Sequence, residues 1–424
     1  MTTRKKLTTI TQETDYDPNS MPVDKARNYI KQFLHPVSAS ECVSIRESLG
    51  RVLSKDVISP VNVPQHDNSA MDGYAVVGDD LSENVNPQLT VIGTAFAGQP
   101  FEGIVKNGEC VRIMTGAVIP NGADTVVMQE RTERSGDTAS VDYFPTGSNT
   151  RKAGEDLSMG SAALNRGHKV QPADLGLIAS LGIPEVNVYR KLRVAFFSTG
   201  DELVGVGTAL GDGQIYDSNR YTIFGMLTEL GCEIIDMGVI KDTPDAVEEA
   251  FRSSTDIADV VITSGGVSVG DADFIKPILN KLGEALFWKI AMKPGRPLAF
   301  GRIGKANFFG LPGNPVAVMV TFYQFVQDAL RLLQGQTDTS PNPTFKAQVT
   351  EPLKKAPGRT EFQRGILAMK SNGDWTVQPT GNQGSGILSS MSQAHCFIVL
   401  PNDKGAVEPG ELVNVQLIRG LVGS

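Results

Sequence analysis

The chain has 424 residues, of which 40% are hydrophobic and 20% are charged, and its formal net charge is −8. That length predicts about three domains with large cores, and the acidic balance argues against a general nucleic-acid-binding surface. Four scattered cysteines and four histidines, with no CxxC pair, argue against a zinc site or a disulfide framework and fit a reducing cytoplasm.

The first 20 residues, MTTRKKLTTITQETDYDPNS, are polar and contain no apolar signal core. No apolar run elsewhere reaches the length of a membrane span. We therefore expect a disordered extension over residues 1–20, in a cytoplasmic protein that does not enter a membrane.

Residues 21–50 begin with apolar side chains at helical spacing, which predicts a helix. A loop-rich section follows and contains PQHDNSAMDGYA at 64–75, with two aspartates among small residues. This pattern is typical of a functional loop and equally of an Asx-rich turn that ends at Gly73.

Short alternating strands broken by Gly and Pro fill residues 88–141, which predicts a small β domain with Thr115 at a strand end. The next segment, NTRKAGED at 149–156, mixes two cations and two carboxylates beside a glycine. A short helix is predicted from Asp174, as its cap, to a stop at Gly182.

From 191 to 335, buried strand patterns alternate with helical patterns, which predicts a doubly wound parallel sheet. Predicted strands cover 193–197, 233–240 and 259–263, and predicted helices cover 220–230 and 245–254. Because ligands of such sheets bind beyond the carboxyl ends of the strands, we expect the residues that follow those ends to gather at one edge.

Two glycine-rich turns lie at that predicted edge: SGGVSVGD at 264–271 and GLPGNP at 310–315, the second opening on a long apolar helix. Glycine permits positive φ and a close approach of ligand to backbone, and proline suits the first helical turn. One such turn alone is more typical of a tight strand-to-helix connection. Two turns separated by a lysine-rich strand predict an oxyanion-binding floor.

After Leu333 the polar linker GQTDTSPNPT marks a domain boundary. Five short strand patterns between 345 and 417 then predict a small β barrel or sandwich. Its most prominent loop is TGNQGSG at 380–386.

The predicted edge combines acids and cations with backbone donors; the side chains are Glu202, Asp242, Asp271, Asp273, Lys289, Lys293 and Arg296. This mixture predicts a phosphorylated ligand held partly through a divalent cation, and oxygen ligands favour Mg²⁺ over zinc. The P-loop signature and a GxGxxG with a ribose-binding acid are absent, and no Ser-His-Asp or Cys-His grouping is evident. The residues alone therefore predict metal-assisted transfer or hydrolysis of a phosphate ester.

Seven motifs follow one another along the chain: DNSAMDGYA, GED, STGDEL, SGGVSVGDADF, KPGRPLAFG, GLPGNPVA and the late GSG loop. Through them the chain resembles the molybdopterin molybdenumtransferases, the family of MoeA and of the gephyrin C-terminal domain, over about 21–420. The resemblance implies an α/β linker region at 21–58 and 150–190, an inserted β domain at 59–149, a doubly wound molybdopterin-binding domain at 191–335 and a C-terminal β barrel at 343–420. It also implies an elongated homodimer.

The resemblance implies an activity as well. Its substrates are adenylated molybdopterin and molybdate, and in a Mg²⁺-dependent reaction the phosphoanhydride is cleaved, AMP leaves and molybdenum enters the dithiolene. Candidate protein partners are a molybdopterin adenylyltransferase or a molybdoenzyme chaperone.

The catalytic residues carried over by the resemblance are Asp72, Glu202, Asp242 and Asp273, with the last three also as metal ligands. Asp72 is expected to come from the partner subunit. The substrate-binding residues are Thr115, Arg151, Asp156, Ser264, Gly265, Gly266, Ser268, Gly270, Lys289, Lys293, Pro312, Gly313, Asn314, Pro315, Arg364 and Ser385. For each acid the alternative is a helix cap or turn residue, and for each lysine a solvated strand edge.

Three other interpretations stay open at this point. The α/β domain alone resembles molybdopterin adenylyltransferases and a pyridine-nucleotide amidase family, which lack the other domains. A non-catalytic scaffold of the same fold and a tungsten-inserting paralogue are the remaining two. The chain also departs from the family pattern, with Arg296 where many relatives have lysine and His395 where asparagine is common.

Overall fold

The computed structural model describes residues 6–14, 16–266, 275–338 and 342–418. The elements of the N-terminal half are α1 (Val23–Phe33), β1 (Ser40–Ser44), β2 (Val57–Ile58), β3 (Asn68–Ser69), β4 (Gly73–Val76), β5 (Gln88–Ala95), β6 (Glu109–Ile113), β7 (Thr125–Met128), β8 (Thr132–Ser135), β9 (Thr138–Val141), β10 (Thr150–Arg151), β11 (Ala162–Leu164), α2 (Pro172–Ser180) and β12 (Glu185–Tyr189), with 3₁₀ turns at Leu7–Gln12, Gly78–Asp80 and Gln129–Arg131.

Residues near the N-terminus pack on the protein core, so the prediction of a disordered extension over 1–20 is wrong for the described part of it. Leu7 and Ile10 lie one 3₁₀ turn apart and are 0% and 1% exposed. The backbone N–H of Leu7 donates to Glu284, and the indole N–H of Trp288 donates to the Tyr16 hydroxyl, at 3.0 Å each. The polar composition of this segment therefore gave no indication that Leu7 and Ile10 are buried.

The predicted helix over 21–50 ends early, since α1 stops at Phe33. Pro36 lies just beyond it, and a proline disfavours helical backbone in the residue before it. Residues 40–44 instead form β1, which pairs antiparallel with β12. Helix α2 likewise begins at Pro172, with Gln171 as its cap and Asp174 three residues inside, so Asp174 completes a capping box and is not itself the cap.

A six-stranded sheet in the order β7-β4-β6-β5-β9-β8 forms the β domain that lies between the two parts of this linker region. Short pairings, β2 with β11 and β3 with β10, join its chain entry and exit. Strand β10, which ends at Arg151, therefore lies beside the segment that leads to Asp72 and its partner Thr115.

The second part of the chain forms the α/β domain: β13 (Arg193–Thr199), β14 (Leu203–Val204), β15 (Ile215–Tyr216), α3 (Ser218–Glu229), β16 (Glu233–Ile240), α4 (Pro244–Ile257), β17 (Val260–Ser264), α5 (Ile275–Leu282), β18 (Gly283–Lys289), β19 (Met292–Lys293), β20 (Pro297–Ile303), β21 (Ala306–Leu311) and α6 (Pro315–Thr321), which continues through a π-helical turn (Phe322–Val326) into α7 (Gln327–Leu333). The sheet order is β16-β13-β17-β21-β20-β18.

This sheet is doubly wound, because successive residues of one strand enter separate cores. Phe196 packs with α3 and α6 on one face, and Phe197 packs with α4 and α5 on the other. Strands β16, β13, β17 and β21 are parallel, as predicted. Strand β20 is antiparallel to both of its neighbours, β21 and β18. The two-residue turn between Ile303 and Ala306 joins β20 to β21, and so short a turn can join only antiparallel neighbours.

The C-terminal part contains β22 (Thr344–Val349), β23 (Thr360–Met369), β24 (Trp375–Pro379), α8 (Ser389–Gln393), β25 (Cys396–Leu400) and β26 (Leu412–Leu417). Five strands close into a barrel, since β23 pairs with both β24 and β25. Strand β19 of the preceding domain pairs with β23. This pairing attaches the barrel beside the KPGRP segment.

Among the described residues, one helix, Pro315–Leu333, is long and apolar enough to cross a membrane by length and composition. The sequence-based expectation that no segment reaches this length is therefore wrong. Buried residues make up 83% of the apolar window, and they belong to the core that the sheet and the barrel share.

Candidate functional site

A cavity of about 920 Å³ lies at the carboxyl ends of β13, β17 and β21. The segment after β19 and the barrel loop 383–386 form its opposite wall. The predicted site residues that line it are Glu202, Asp242, Ser264, Gly265, Gly266, Lys293, Pro312, Gly313, Asn314, Pro315 and Ser385. The edge predicted from the strand order is therefore a real concave site. Ser268, Gly270 and Asp273 lie outside the described residues.

The first glycine turn brings the backbone close to the end of β13. Gly265 and Gly266 have φ values of 92° and 65°, in the region that favours glycine. A Cβ on Gly265 would lie 2.7 Å from the carbonyl oxygen of Thr199. The N–H of Gly265 donates to the carbonyl of Leu311 at 3.2 Å. The two predicted turns therefore form one continuous floor.

Asn219 joins the two turns through its side chain, and the sequence analysis missed it. Its Nδ2 donates to the Ser264 hydroxyl at 2.9 Å and to the carbonyl of Gly313 at 2.7 Å. The only signal was Asp217-Ser218-Asn219 before a helix. Asp217 does cap α3, accepting from the N–H of Arg220 at 3.1 Å, and the capping pattern concealed the role of its neighbour.

Two buried acceptor atoms at the cavity wall have no donor among the described residues. They are Oδ2 of Asp217 and Oδ1 of Asn219, and both residues line the cavity. A buried polar atom without a partner is costly. A ligand that supplies N–H or O–H donors would satisfy both.

The acidic side of the cavity is built from neighbouring strands. Glu202 follows β13 and Asp242 follows β16. Burial raises the pKa of Asp242, and the negative charges of Asp201 and Glu202 raise it further. Within the described ranges, no group of three His, Cys, Asp or Glu side chains is arranged to hold a metal ion. Glu202 and Asp242 would thus supply part of a ligand set.

The basic side of the cavity comes from the end of β19, the segment after it and the start of the barrel strand β23. Nζ of Lys293 lies 3.4 Å from Oε1 of Glu361, a buried acid of the barrel. Arg296 and Arg359 also line the cavity, and Arg359 had no signal beyond its position before a strand. Lys289 does not line it, although the sequence placed it with these cations. Its backbone N–H instead donates to the carbonyl of Pro18 at 2.7 Å.

The structure places Arg364 behind the barrel loop, whereas the resemblance predicted that it contacts an anion. Its side chain is almost fully buried, at 1% exposure. The guanidinium donates to the Ser390 hydroxyl at 2.9 Å and to the carbonyl of Gly384 at 3.0 Å. Burial lowers the pKa of Arg364 to about 10. In this arrangement Arg364 supports the loop that carries Ser385.

Gln383 completes that support. Its Oε1 accepts from the backbone N–H of Arg364 at 2.7 Å, and its Nε2 donates to the Arg364 carbonyl at 3.2 Å. The carbonyl of Ser385 accepts from the N–H of Val316, in the first turn of α6, at 3.1 Å. Gln383 therefore fixes the loop between barrel and helix.

A second group of predicted residues lies in the β domain and does not line this cavity: Asp72, Thr115, Arg151 and Asp156. Oδ1 of Asp72 accepts from both the backbone N–H and the hydroxyl of Thr115, at 2.7 Å each. The backbone bond, followed by the hydroxyl bond, lowers the pKa of Asp72. Arg151 pairs with Asn68 across β10 and β3.

Asp67 belongs to this second group, although the sequence analysis gave it no role. It binds Nζ of Lys152 and the N–H of Ala153, both at 2.8 Å. The lysine bond is the main reason that the pKa of Asp67 is lowered. Hydrogen bonds therefore hold both Asp67 and Asp72 in place and favour the ionised form of each.

Three family models match successive parts of the chain. They are the MoeA N-terminal region (domains I and II) at 21–182, the probable molybdopterin-binding domain at 195–332 and the MoeA C-terminal region (domain IV) at 346–418. A molybdopterin molybdenumtransferase of Haemophilus influenzae is 46% identical over 405 residues, which cover 95% of this chain and all of that protein. One from a Nostoc species is 36% identical, covering 89% of this chain and 88% of that protein.

Solved structures resemble the whole fold. A molybdopterin biosynthesis MoeA protein of Pyrococcus horikoshii matches with a TM-score of 0.77 and 32% identity, covering 95% of this chain and 100% of that one. A second structure with that description matches with a TM-score of 0.81 and 28% identity, covering 94% of this chain and 100% of the other. The sequence and fold comparisons therefore agree across all regions of the chain.

Proposed function

This chain belongs to the MoeA family of molybdopterin molybdenumtransferases, and from that premise we propose that its large cavity binds adenylated molybdopterin and molybdate. The chain is a transferase of molybdenum cofactor biosynthesis. In the proposed reaction the phosphoanhydride of the adenylated substrate is cleaved, AMP leaves and molybdenum enters the dithiolene.

The observation that carries the proposal is that one cavity unites five sequence motifs. STGDEL, SGG, KPGRP, GLPGNP and the GSG loop are spread over almost 190 positions, from 198 to 386, yet all contribute to its wall. Its volume of about 920 Å³ lies toward the upper end of the range for small-molecule sites. That volume suits a nucleotide-sized substrate with an oxyanion.

The floor and the basic side suit the charged part of such a substrate. The glycine turn at Gly265 approaches the cavity with its backbone, and α6 presents its N-terminal end through Pro315. Lys293 and Arg296 add positive charge on the opposite side. Phosphate and molybdate are both tetrahedral anions, and these groups would bind their oxygens.

The unpaired acceptors suit the pterin part. A pterin ring carries N–H donors, whereas phosphate carries none in its ionised form. Oδ2 of Asp217 and Oδ1 of Asn219 are the buried acceptors that such donors would satisfy. We therefore orient the ring toward the start of α3, with the phosphates over the glycine floor.

The acids fit a bound Mg²⁺. Glu202 and Asp242 supply oxygen ligands, which Mg²⁺ prefers. Burial, and then the charges of Asp201 and Glu202, raise the pKa of Asp242, and a bound cation would favour its ionised form. When bound, Mg²⁺ would neutralise charge on the pyrophosphate oxygens. Asp273, outside the described residues, is the third proposed ligand.

We also propose a cytoplasmic homodimer in which the Asp72 group acts on the cavity of the second subunit. Asp72, Thr115 and Arg151 do not line the cavity of their own chain, yet the resemblance carries all three over as site residues. A two-fold dimer contributes the same surface twice. One isologous contact would therefore complete two sites.

The direct test is AMP release by the purified chain. We expect AMP from adenylated molybdopterin with molybdate and Mg²⁺, and none when molybdate or Mg²⁺ is left out. Tungstate is run beside molybdate to compare the two anions. Absence of AMP release from folded, dimeric protein would exclude the proposed reaction.

A further inference from the structure

A second cavity lies where three regions of the chain meet, and it shares no lining residue with the substrate cavity. We call it the junction cavity and define it by Lys169, Leu230, Tyr323, Arg331, Asn342 and Leu417. Its volume is about 530 Å³, within the range of small-molecule sites. Lys169 comes from the linker region, Tyr323 and Arg331 from the long core helix, and Leu417 from the barrel.

The junction cavity has two cations facing the same space. Lys169 is partly buried and forms no ion pair with a described residue. Burial lowers the pKa of Lys169, and repulsion from Arg331 lowers it further. Cys232 does not compensate this charge, because burial raises the pKa of its thiol to about 12. Two neighbouring cations in a concave site favour an anion between them.

Arg331 lines the junction cavity and has polar partners at its edge. Its Nη1 donates to Oδ1 of Asn342 at 3.1 Å, and the nearest carboxylate oxygen, on Asp328, is 3.8 Å away. Glu229 is the acid that lines the junction cavity. Lys169 also borders two further cavities in which cations and carboxylates are mixed. In the junction cavity itself, two cations, Lys169 and Arg331, face one acid, Glu229.

The remaining wall is apolar and includes an irregular part of a helix. Leu230, Leu417 and Ile418 line the cavity together with Phe322 and Tyr323. The two aromatic residues begin the π-helical turn Phe322–Val326. Such turns are rare and occur frequently at functional sites. Here the turn directs bulky side chains toward a cavity that is otherwise suited to a ligand.

We propose that the junction cavity binds a small organic anion, with its phosphate or carboxylate between Lys169 and Arg331 and its apolar part against Leu230 and Leu417. This site is separate from the substrate cavity and does not depend on the proposed reaction. Its ligand would contact the linker region, the α/β domain and the barrel at once.

The test uses full-length protein and two probes, 1-naphthyl phosphate and 1-naphthoate, in calorimetric titrations. We expect at least one probe to bind, with the Lys169→Met variant weakened about tenfold or more, because one charge-assisted contact is lost. The matched control Lys305→Met removes an exposed lysine and should bind as the wild type does. Lys293→Met, in the substrate cavity, should also retain binding.

A second measurement does not rely on a folded variant. Acetylation of wild-type lysines followed by mass spectrometry should show that the better probe protects Lys169 and leaves Lys305 reactive. Binding of neither probe, equal affinity in Lys169→Met and wild type, or unprotected Lys169 would each overturn the proposal. A preference for the phosphate or the carboxylate probe identifies the ligand class.

Discussion

Replacing Asn219 with alanine should weaken both the fold and substrate binding, because one side chain joins the two turns of the cavity floor. Its Nδ2 donates to Ser264 and Gly313 at 2.9 and 2.7 Å. The residue is buried, at 8% exposure, so both bonds are largely shielded from solvent in the intact floor. The variant therefore tests whether the two turns of the floor depend on each other or fold independently.

The expected cost follows from those two bonds. A buried hydrogen bond contributes about 1 kcal/mol net, so the loss of two costs about 2 kcal/mol. For a domain of this size that predicts a Tm lower by about 4–8 °C. Displaced turns should also raise the KM for adenylated molybdopterin by about tenfold, since small misplacements of positioning groups are costly.

The assays are thermal unfolding followed by circular dichroism and steady-state AMP release. Asn372→Ala is the matched control, because Asn372 is exposed and binds only Asp374 in its own turn; we expect a change within about 0.5 kcal/mol. Asn219→Asp, which keeps the shape and loses the donor, should resemble Asn219→Ala. If both Asn219 variants keep wild-type Tm and KM, the joined-floor reasoning is refuted.

Three more predictions test the remaining groups. Asp242→Asn should raise the free energy of unfolding at neutral pH, because the raised pKa of Asp242 in the folded state makes its ionised form unfavourable there. This gain in stability should disappear below the unfolded-state pKa of about 3.9, which a series of Tm measurements against pH checks. AMP release by the same variant should fall. An unchanged Tm difference across pH would contradict this. Asp72→Ala and Lys293→Ala should each abolish AMP release and retain the wild-type Tm. When the two variants are mixed and their subunits re-associate, about a quarter of wild-type activity should return if each site is shared between two copies. No recovery of activity would mean that each subunit works alone. Gln383→Ala should raise the KM for molybdate with little change in kcat, since it frees the loop that carries Ser385. Gln383→Glu keeps the acceptor for the Arg364 N–H and should therefore have a KM between those of the wild type and Gln383→Ala. Equal KM values for the wild type and both variants would exclude the supporting role of Gln383.

Much of the site could be predicted because its chemistry is encoded locally. Gly265 and Gly313 occur in short motifs at strand ends, and strand alternation alone placed those ends at one edge. The doubly wound sheet followed from the same periodic patterns, which left the C-terminal strands as a barrel or a sandwich; the resemblance implied the barrel. The family model matches and the solved structures then confirmed the fold class.

What the sequence could not predict depends on side-chain direction and long-range packing. Asn219 has the pattern of a helix start, and only the tertiary structure shows which turns its amide reaches. Arg364 is of a residue type that commonly binds anions, yet in this structure its guanidinium donates to Ser390 and Gly384. Neither direction has a local signal.

The same limit explains the errors in the fold. Leu7 and Ile10 are two apolar residues in a polar segment, and their burial depends on a surface formed 280 residues later. The helix after Pro315 is mostly apolar because sheet and barrel both cover it. Burial on every side and a membrane environment select the same residues.

The N-terminal segment has a practical consequence for how the chain is handled. Removing residues 6–20 as a dispensable tail would uncover Trp288 and the apolar surface around it, which Leu7, Ile10 and Tyr16 now cover. Exposed apolar patches of this kind promote aggregation. We therefore expect a protein that lacks residues 6–20 to aggregate and to have low solubility. Low solubility of such a truncated protein would result from the exposed apolar surface and not from instability of the full-length fold.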